Sequence, residues 1–129
     1  MEAIFARLGR RMDLITEIIH DKGHKVQQRN ALYTGADIVI GTAKRLYEMY
    51  IANGLNLSKI KMLIIDDSDA ILKAGLQTQI LRLVESISKC QYIMINDEYT
   101  DRMKKSSELF MFQPYLLEIN EENIDSDVI

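Results

Sequence analysis

An intrachain disulfide is the first thing the sequence excludes, because Cys90 is the only cysteine among 129 residues. Neither an intrachain bridge nor a cysteine-based metal centre can form, and a reducing, cytoplasmic setting fits such a chain best. Long apolar runs are missing too. The longest is only a few residues, against the roughly 20 that a membrane-spanning helix needs, so no membrane partner is expected. Met1 to Phe5 has neither the basic flank nor the apolar length of a signal peptide. His20 and His24 have no partners at metal-ligand spacing. There is no repeat, no low-complexity segment and no internal linker, which leaves one domain over residues 1–120. Residues 121–129, with Glu121, Glu122, Asp125 and Asp127, read as a frayed, solvated acidic tail.

Excess positive charge is also absent. The net charge of −3 argues against strong nucleic-acid binding by charge alone. Its distribution is uneven, however. Residues 1–60 carry nine Lys/Arg against six Asp/Glu, and residues 61–129 carry seven against thirteen. A polyanion is therefore expected to touch the first half.

What is present is a globular composition, 47% apolar and 27% charged, arranged in alternating helical and strand periods. Ile4, Phe5, Leu8 and Met12 share one face of a helix over Glu2–Met12. Strands are expected over Leu14–Ile19, Asp37–Ile40, Met62–Ile65, Tyr92–Ile95 and Tyr115–Ile119. Helices are expected over Val26–Tyr33, Lys44–Ile51, Gln79–Ile87 and Asp101–Phe112, the last one broken by Pro114. Met62–Ile65 is a continuous apolar run, as expected of a strand covered on both faces. The alternation implies right-handed βαβ units and an α/β fold: a mostly parallel sheet with helices on both faces. Ligands of such folds bind beyond the carboxyl ends of the strands. Asp21, Thr42, Asp66-Asp67 and Asn96-Asp97 are therefore expected along one rim.

Ile64-Ile65-Asp66-Asp67-Ser68-Asp69 places three carboxylates within four residues just after a buried strand. A divalent cation or a set of hydrogen-bond donors would relieve their repulsion; a solvated turn with Asp69 capping the next helix is the plainer alternative. The neighbouring residues bear on that choice. Gly35-Ala36-Asp37-Ile38-Val39-Ile40-Gly41-Thr42-Ala43-Lys44-Arg45-Leu46 resembles the stretch of DEAD-box RNA helicases that runs from a strand into the motif T-P-G-R. Thr42 and Arg45 match that motif, while Ala43 and Lys44 replace its proline and glycine. Asn56 to Asp69 resembles the approach to D-E-A-D, that family's motif II, and Asn96-Asp97-Glu98 stands where that family has S-A-T. The resemblance covers residues 1–119 and implies the C-terminal part of the first RecA-like domain, a P-loop NTPase fold.

The resemblance also implies roles. Asp66 would be the carboxylate on the magnesium side, holding the ion through water when nucleotide is present. Asp67 would serve the attacking water, and Asp69 would couple the ATP site to the S-A-T position, Asn96-Asp97-Glu98. Asp67 replaces a glutamate and is one methylene shorter, a displacement of about 1 Å that can cost about a hundredfold in rate. The two acids in Asn96-Asp97-Glu98 bring like charge towards Asp69. None of the six glycines precedes a lysine, so the phosphate-cradling G-x-x-x-x-G-K-[ST] is absent. Mg and ATP are thus expected only in a full-length helicase, and this chain alone is expected to bind neither.

RNA-backbone contacts are implied for Thr42, Lys44, Arg45 and Gly23, the last within the loop Asp21-Lys22-Gly23-His24. The plainer reading is an N-cap for Thr42 and a solvated helix face for Lys44 and Arg45. RNA binding from so few contacts would be weak, salt-sensitive and independent of sequence. The partners implied are RNA, a second RecA-like domain and, through a bare sheet edge, a second copy of the chain. One alternative is a non-catalytic RNA- or protein-binding module carrying relic helicase motifs. Another, a phosphoacceptor receiver domain, would need a lysine just past a late strand, and neither Asn96-Asp97 nor Asn120-Glu121 supplies it.

Overall fold

The structure, a computed structural model, describes Ile4, Arg7 and residues 13–120. Among these, strands and helices alternate: β1 (Thr16–Ile19), α1 (Lys25–Thr34), β2 (Ile38–Gly41), α2 (Ala43–Ile51), β3 (Met62–Ile65), α3 (Ser68–Lys73), α4 (Gln77–Glu85), β4 (Gln91–Met94) and α5 (Asp101–Phe110). The helix expected over Glu2–Met12 lies outside the described residues apart from Ile4 and Arg7, which are helical and exposed. The acidic tail 121–129 also lies outside them.

All the strand pairing is parallel, and it falls into two separate pairs. β1 lies beside β2 with Ile19 opposite Gly41, and β3 lies beside β4 with Ile65 opposite Met94. Each pair is a βαβ unit, in which helices return the chain to the same end. Asp37 anchors the foot of the first pair. Its N–H donates to the Ile15 carbonyl (2.8 Å), and its carboxylate accepts from the Ile15 N–H (2.8 Å).

Helices join the two pairs. α2 packs on α4, whose stripe buries Ile80 and Leu83. Ile65, Ile80 and Phe110 form the core cluster, with Ala43, Leu63, Val84 and Met94 packed against it. Burial of each large aliphatic contributes about 1.5–3 kcal/mol. Ala43 opens α2 just after β2, while Ile65 ends β3, so this cluster brings the carboxyl ends of the two pairs together.

Two departures stand out. Alternation along β3 turns Leu63 and Ile65 to the core and Met62 and Ile64 to the opposite face, and there Met62 is 49% and Ile64 46% exposed. A parallel sheet is ordinarily covered on both faces; this apolar face is only half covered. The second departure corrects the strand expected over Tyr115–Ile119. The segment forms no strand, and Tyr115, Leu116, Leu117 and Ile119 are all exposed. An alternating apolar pattern makes a strand only beside a neighbour, and no strand among the described residues pairs with it.

In hydrogen exchange, the amides of Tyr115–Ile119 should exchange nearly as fast as in an unstructured peptide. The Ile95 amide, which donates to the Ile65 carbonyl at 2.9 Å, should be protected. Measuring the same amides across a concentration series checks for pairing with a second copy. Protection of residues 115–119 that rises with concentration would reveal such a strand exchange.

Candidate functional site

The rim beyond the strand carboxyl ends has two halves. In the first, Thr42 follows β2 and caps α2. Its hydroxyl oxygen accepts from the Arg45 N–H (3.3 Å), and its O–H donates to Asp21 Oδ1 (2.6 Å). The N-cap role is therefore realised, and Thr42 and Asp21 meet as neighbours across the ends of β1 and β2. Lys44 is exposed and forms no ion pair among the described residues.

Arg45 sits differently from the solvated side chain its sequence suggests. It is only 6% exposed, and its guanidinium donates to the carbonyls of Asp21 and Gly23 and to Gln28 Oε1 (2.7, 3.0 and 2.9 Å). Nε lies 3.2 Å from Glu48 Oε2. Gly23 is half-buried, and a Cβ there would run into the Gln28 amide, so any other residue would displace the Gln28 side chain.

The second half of the rim carries the acids. Asp66 is exposed, and one of its oxygens accepts from the Asp67 N–H (2.9 Å). Asp67 is exposed and left-handed at φ 50°, ψ 51°, a conformation uncommon outside glycine but tolerated best by Asn and Asp. It holds the N-cap position of α3 without a side-chain bond. Asp69 therefore does not cap this helix; it lies within the first turn. Ser68 is fully buried, with its hydroxyl 2.8 Å from the Ile65 carbonyl and 3.0 Å from that of Ile95. Its N–H also donates to Ile95, which ties the ends of β3 and β4.

Asp69 is 8% exposed and shared among three donors. Oδ1 accepts from the Thr100 hydroxyl (2.9 Å) and Arg102 (3.0 Å), while Lys73 lies 3.3 Å from Oδ2. Thr100 in turn caps α5 by accepting from the Met103 N–H (3.1 Å). The link to the S-A-T position runs through the backbone: the Asp69 N–H donates to Asn96 Oδ1 (3.2 Å), and Asn96 Nδ2 donates to the Glu98 carbonyl (2.8 Å). Asp97 and Glu98 are exposed and, with Asp67, Asp69, Lys73, Asn96 and Thr100, line a shallow depression of about 260 Å³. Lys73 and Arg102 offset the like charge expected near Asp69.

Residue-type patterns do not single out Gln28, Ser68, Thr100 or Arg102. Thr100 alone leaves a signal, as a hydroxyl residue just before a helix.

Asp66 fits magnesium as a single ligand, because one of its oxygens makes no hydrogen bond. Among the described residues, no three His, Cys, Asp or Glu side chains gather into a metal-binding group. Mg²⁺ bound through one carboxylate fills its octahedron with water and phosphate oxygens. Burial pushes the Cys90 thiol up, and a backbone hydrogen bond to Leu63 only partly offsets this.

Burial raises the pKa of Asp69, but the Thr100 hydroxyl, Lys73 and Arg102 outweigh it and hold the carboxyl below its ordinary 3.8. A depressed carboxyl contributes stability above its unfolded-state value and loses it as pH falls through the folded-state value. The stability difference between wild type and Asp69→Asn should therefore be constant near neutrality. It should shrink as the pH drops below 3.8. Urea unfolding at a series of pH values checks this, and a gap that widens on acidification would contradict the ion-pair assignment.

Residues 1–98 match the family model described as DEAD/DEAH box helicase. The ATP-dependent RNA helicase eIF4A of Encephalitozoon cuniculi is 32% identical over 92 residues, covering 69% of this chain and 22% of that protein. DEAD-box ATP-dependent RNA helicase 20 of Arabidopsis thaliana is 26% identical over 123 residues, or 95% of this chain and 25% of that one. The chain thus spans about a quarter or less of the curated relatives it matches. A hypothetical ATP-dependent RNA helicase from Sulfolobus tokodaii superposes with a TM-score of 0.75 at 21% identity, over 86% of this chain and 34% of that chain. The yeast DEAD-box splicing factor Prp28 gives 0.74 at 18% identity, over 84% and 26%. At those identities the structural likeness speaks for the fold, a part of a RecA-like helicase domain. The family model covers most of the chain, and the chain belongs to the DEAD/DEAH box helicase family.

Proposed function

We propose that this chain supplies the RNA-backbone face and the motif II carboxylates of an ATP-dependent RNA helicase, and that alone it turns over no ATP. One juxtaposition carries the reading. Thr42 with Lys44, and Asp66 with Asp69, stand beyond the carboxyl ends of two parallel strand pairs whose ends meet where Ala43 packs against Ile65. Magnesium-bound ATP, in a longer protein, supplies the phosphoryl group and its charge neutralisation. The chain's own part is to present Asp66 to that ion and to hold Asp69 against Thr100 and Arg102, so that the Asn96 segment stays registered with motif II. No glycine–lysine pair in the sequence can cradle a nucleotide's phosphates. A second RecA-like domain is the partner that completes the site under this reading.

Steady-state ATPase assays on the chain, with and without RNA, should show no turnover above background. RNA-stimulated hydrolysis that disappears in Asp66→Ala would mean that the chain builds a phosphate site of its own.

Single-stranded RNAs of unrelated sequence should bind weakly and with similar affinities. Two or three phosphate contacts give a log–log salt slope of about −1.4 to −2.1, and Lys44→Ala should make it shallower by about 0.7. Fluorescence anisotropy across a salt series measures both. An unchanged slope in Lys44→Ala would move the RNA face elsewhere.

A further inference from the structure

The loop between β1 and α1 is pinned from beneath by two buried side chains on different helices. Arg45, from α2, donates to the carbonyls of Asp21 (2.7 Å) and Gly23 (3.0 Å). Gln28, from α1 and 8% exposed, donates through Nε2 to the carbonyl of His20 (3.0 Å) and accepts from Arg45 through Oε1 (2.9 Å). Three loop carbonyls thus face inward, onto one Arg–Gln pair. In a trans peptide the carbonyl of one residue and the N–H of the next point to opposite sides. With the carbonyls of His20, Asp21 and Gly23 turned in, the N–H groups of Asp21, Lys22 and His24 turn out. None of these three donors has a partner among the described residues. Lys22 and His24, in the same loop, are exposed, and the Asp21 carboxylate accepts from the Thr42 hydroxyl (2.6 Å).

We propose that Arg45 and Gln28 are positioning residues. They do not touch RNA; they hold the 20–24 loop so that its outward amides and Lys22 receive a backbone phosphate. This rests on the RNA reading above and deepens it. With three of its five N–H groups given to internal acceptors, Nε beside Glu48 and only 6% of the residue exposed, Arg45 presents no donor fork to a phosphate in solvent, so its charge is not the contribution that matters. The nearby Asp21 carboxylate opposes an anion, which is why the amides have to be aimed rather than merely exposed.

Binding of a fluorescein-labelled oligouridylate to the full chain tests this by anisotropy, with ¹H–¹⁵N spectra of each variant confirming that the β3–β4 amides are unmoved. Gln28→Ala should weaken binding about tenfold, the scale of one or two lost hydrogen bonds to a charged group, and shift the amides of residues 21–24. Lys22→Ala should weaken the wild type yet add nothing to Gln28→Ala. Arg45→Lys keeps the charge but loses the fork, and should bind as weakly as Arg45→Ala. The proposal is overturned if Gln28→Ala binds like wild type, if Lys22→Ala weakens both backgrounds equally, or if Arg45→Lys restores affinity. A wild-type chain that binds no oligouridylate removes the RNA reading itself, and the positioning role with it.

Discussion

Two pairs of parallel strands that share no hydrogen bond must be held in register by side chains, and much of this molecule follows from that constraint. Within each pair, buried polar side chains secure the carboxyl ends. Ser68 does it for β3 and β4 through the Ile65 and Ile95 carbonyls. Arg45 does it for the loop after β1 and the start of α2. A buried polar group unbonded costs several kcal/mol, roughly 1–3 by mutational measures, whereas a bonded one specifies a geometry. The apolar contacts of Ala43, Ile65 and Ile80 bring the pairs together, and the polar ties then define the shape of the rim.

The three carboxylates of motif II divide into unlike environments. Asp66 is exposed, with one oxygen free of hydrogen bonds. Asp67 is exposed on a left-handed backbone. Asp69 is locked by a hydroxyl and two cations. Repulsion within the cluster is relieved by separating the groups in space and by recruiting Thr100, Lys73 and Arg102 to one of them. At Asn96-Asp97-Glu98, where the sequence departs from the family pattern, the Asn96 side chain accepts from the Asp69 N–H.

Sequence period revealed most of the frame. The apolar run Met62–Ile65, the Ile80–Leu83 stripe and the Thr42 cap appear where local pattern puts them, because each depends on residues within a turn or two. What pattern could not reveal depends on partners far along the chain. Arg45 reads as a surface charge until Gly23 and Gln28, 22 and 17 positions away, enclose it. Asp69 reads as a cap until Thr100 and Arg102 reach it from α5. Tyr115–Ile119 has a strand's composition, but a strand is a relation between two segments, and only one of them is present among the described residues.

The half-covered face of β3, with Met62 and Ile64 about half exposed, makes the stability of this chain depend on its surroundings. Any surface that covers those side chains binds the folded form and not the unfolded one. By mass action it raises the unfolding free energy by RT ln(1 + [L]/Kd), about 2.7 kcal/mol when the covering surface is present at a hundred times its dissociation constant. For a tethered covering surface, the relevant concentration is an effective one set by the linker, commonly millimolar for a short flexible connection. The same residues would then melt at different temperatures as a separate chain and as part of a longer one, with every contact within the chain unchanged.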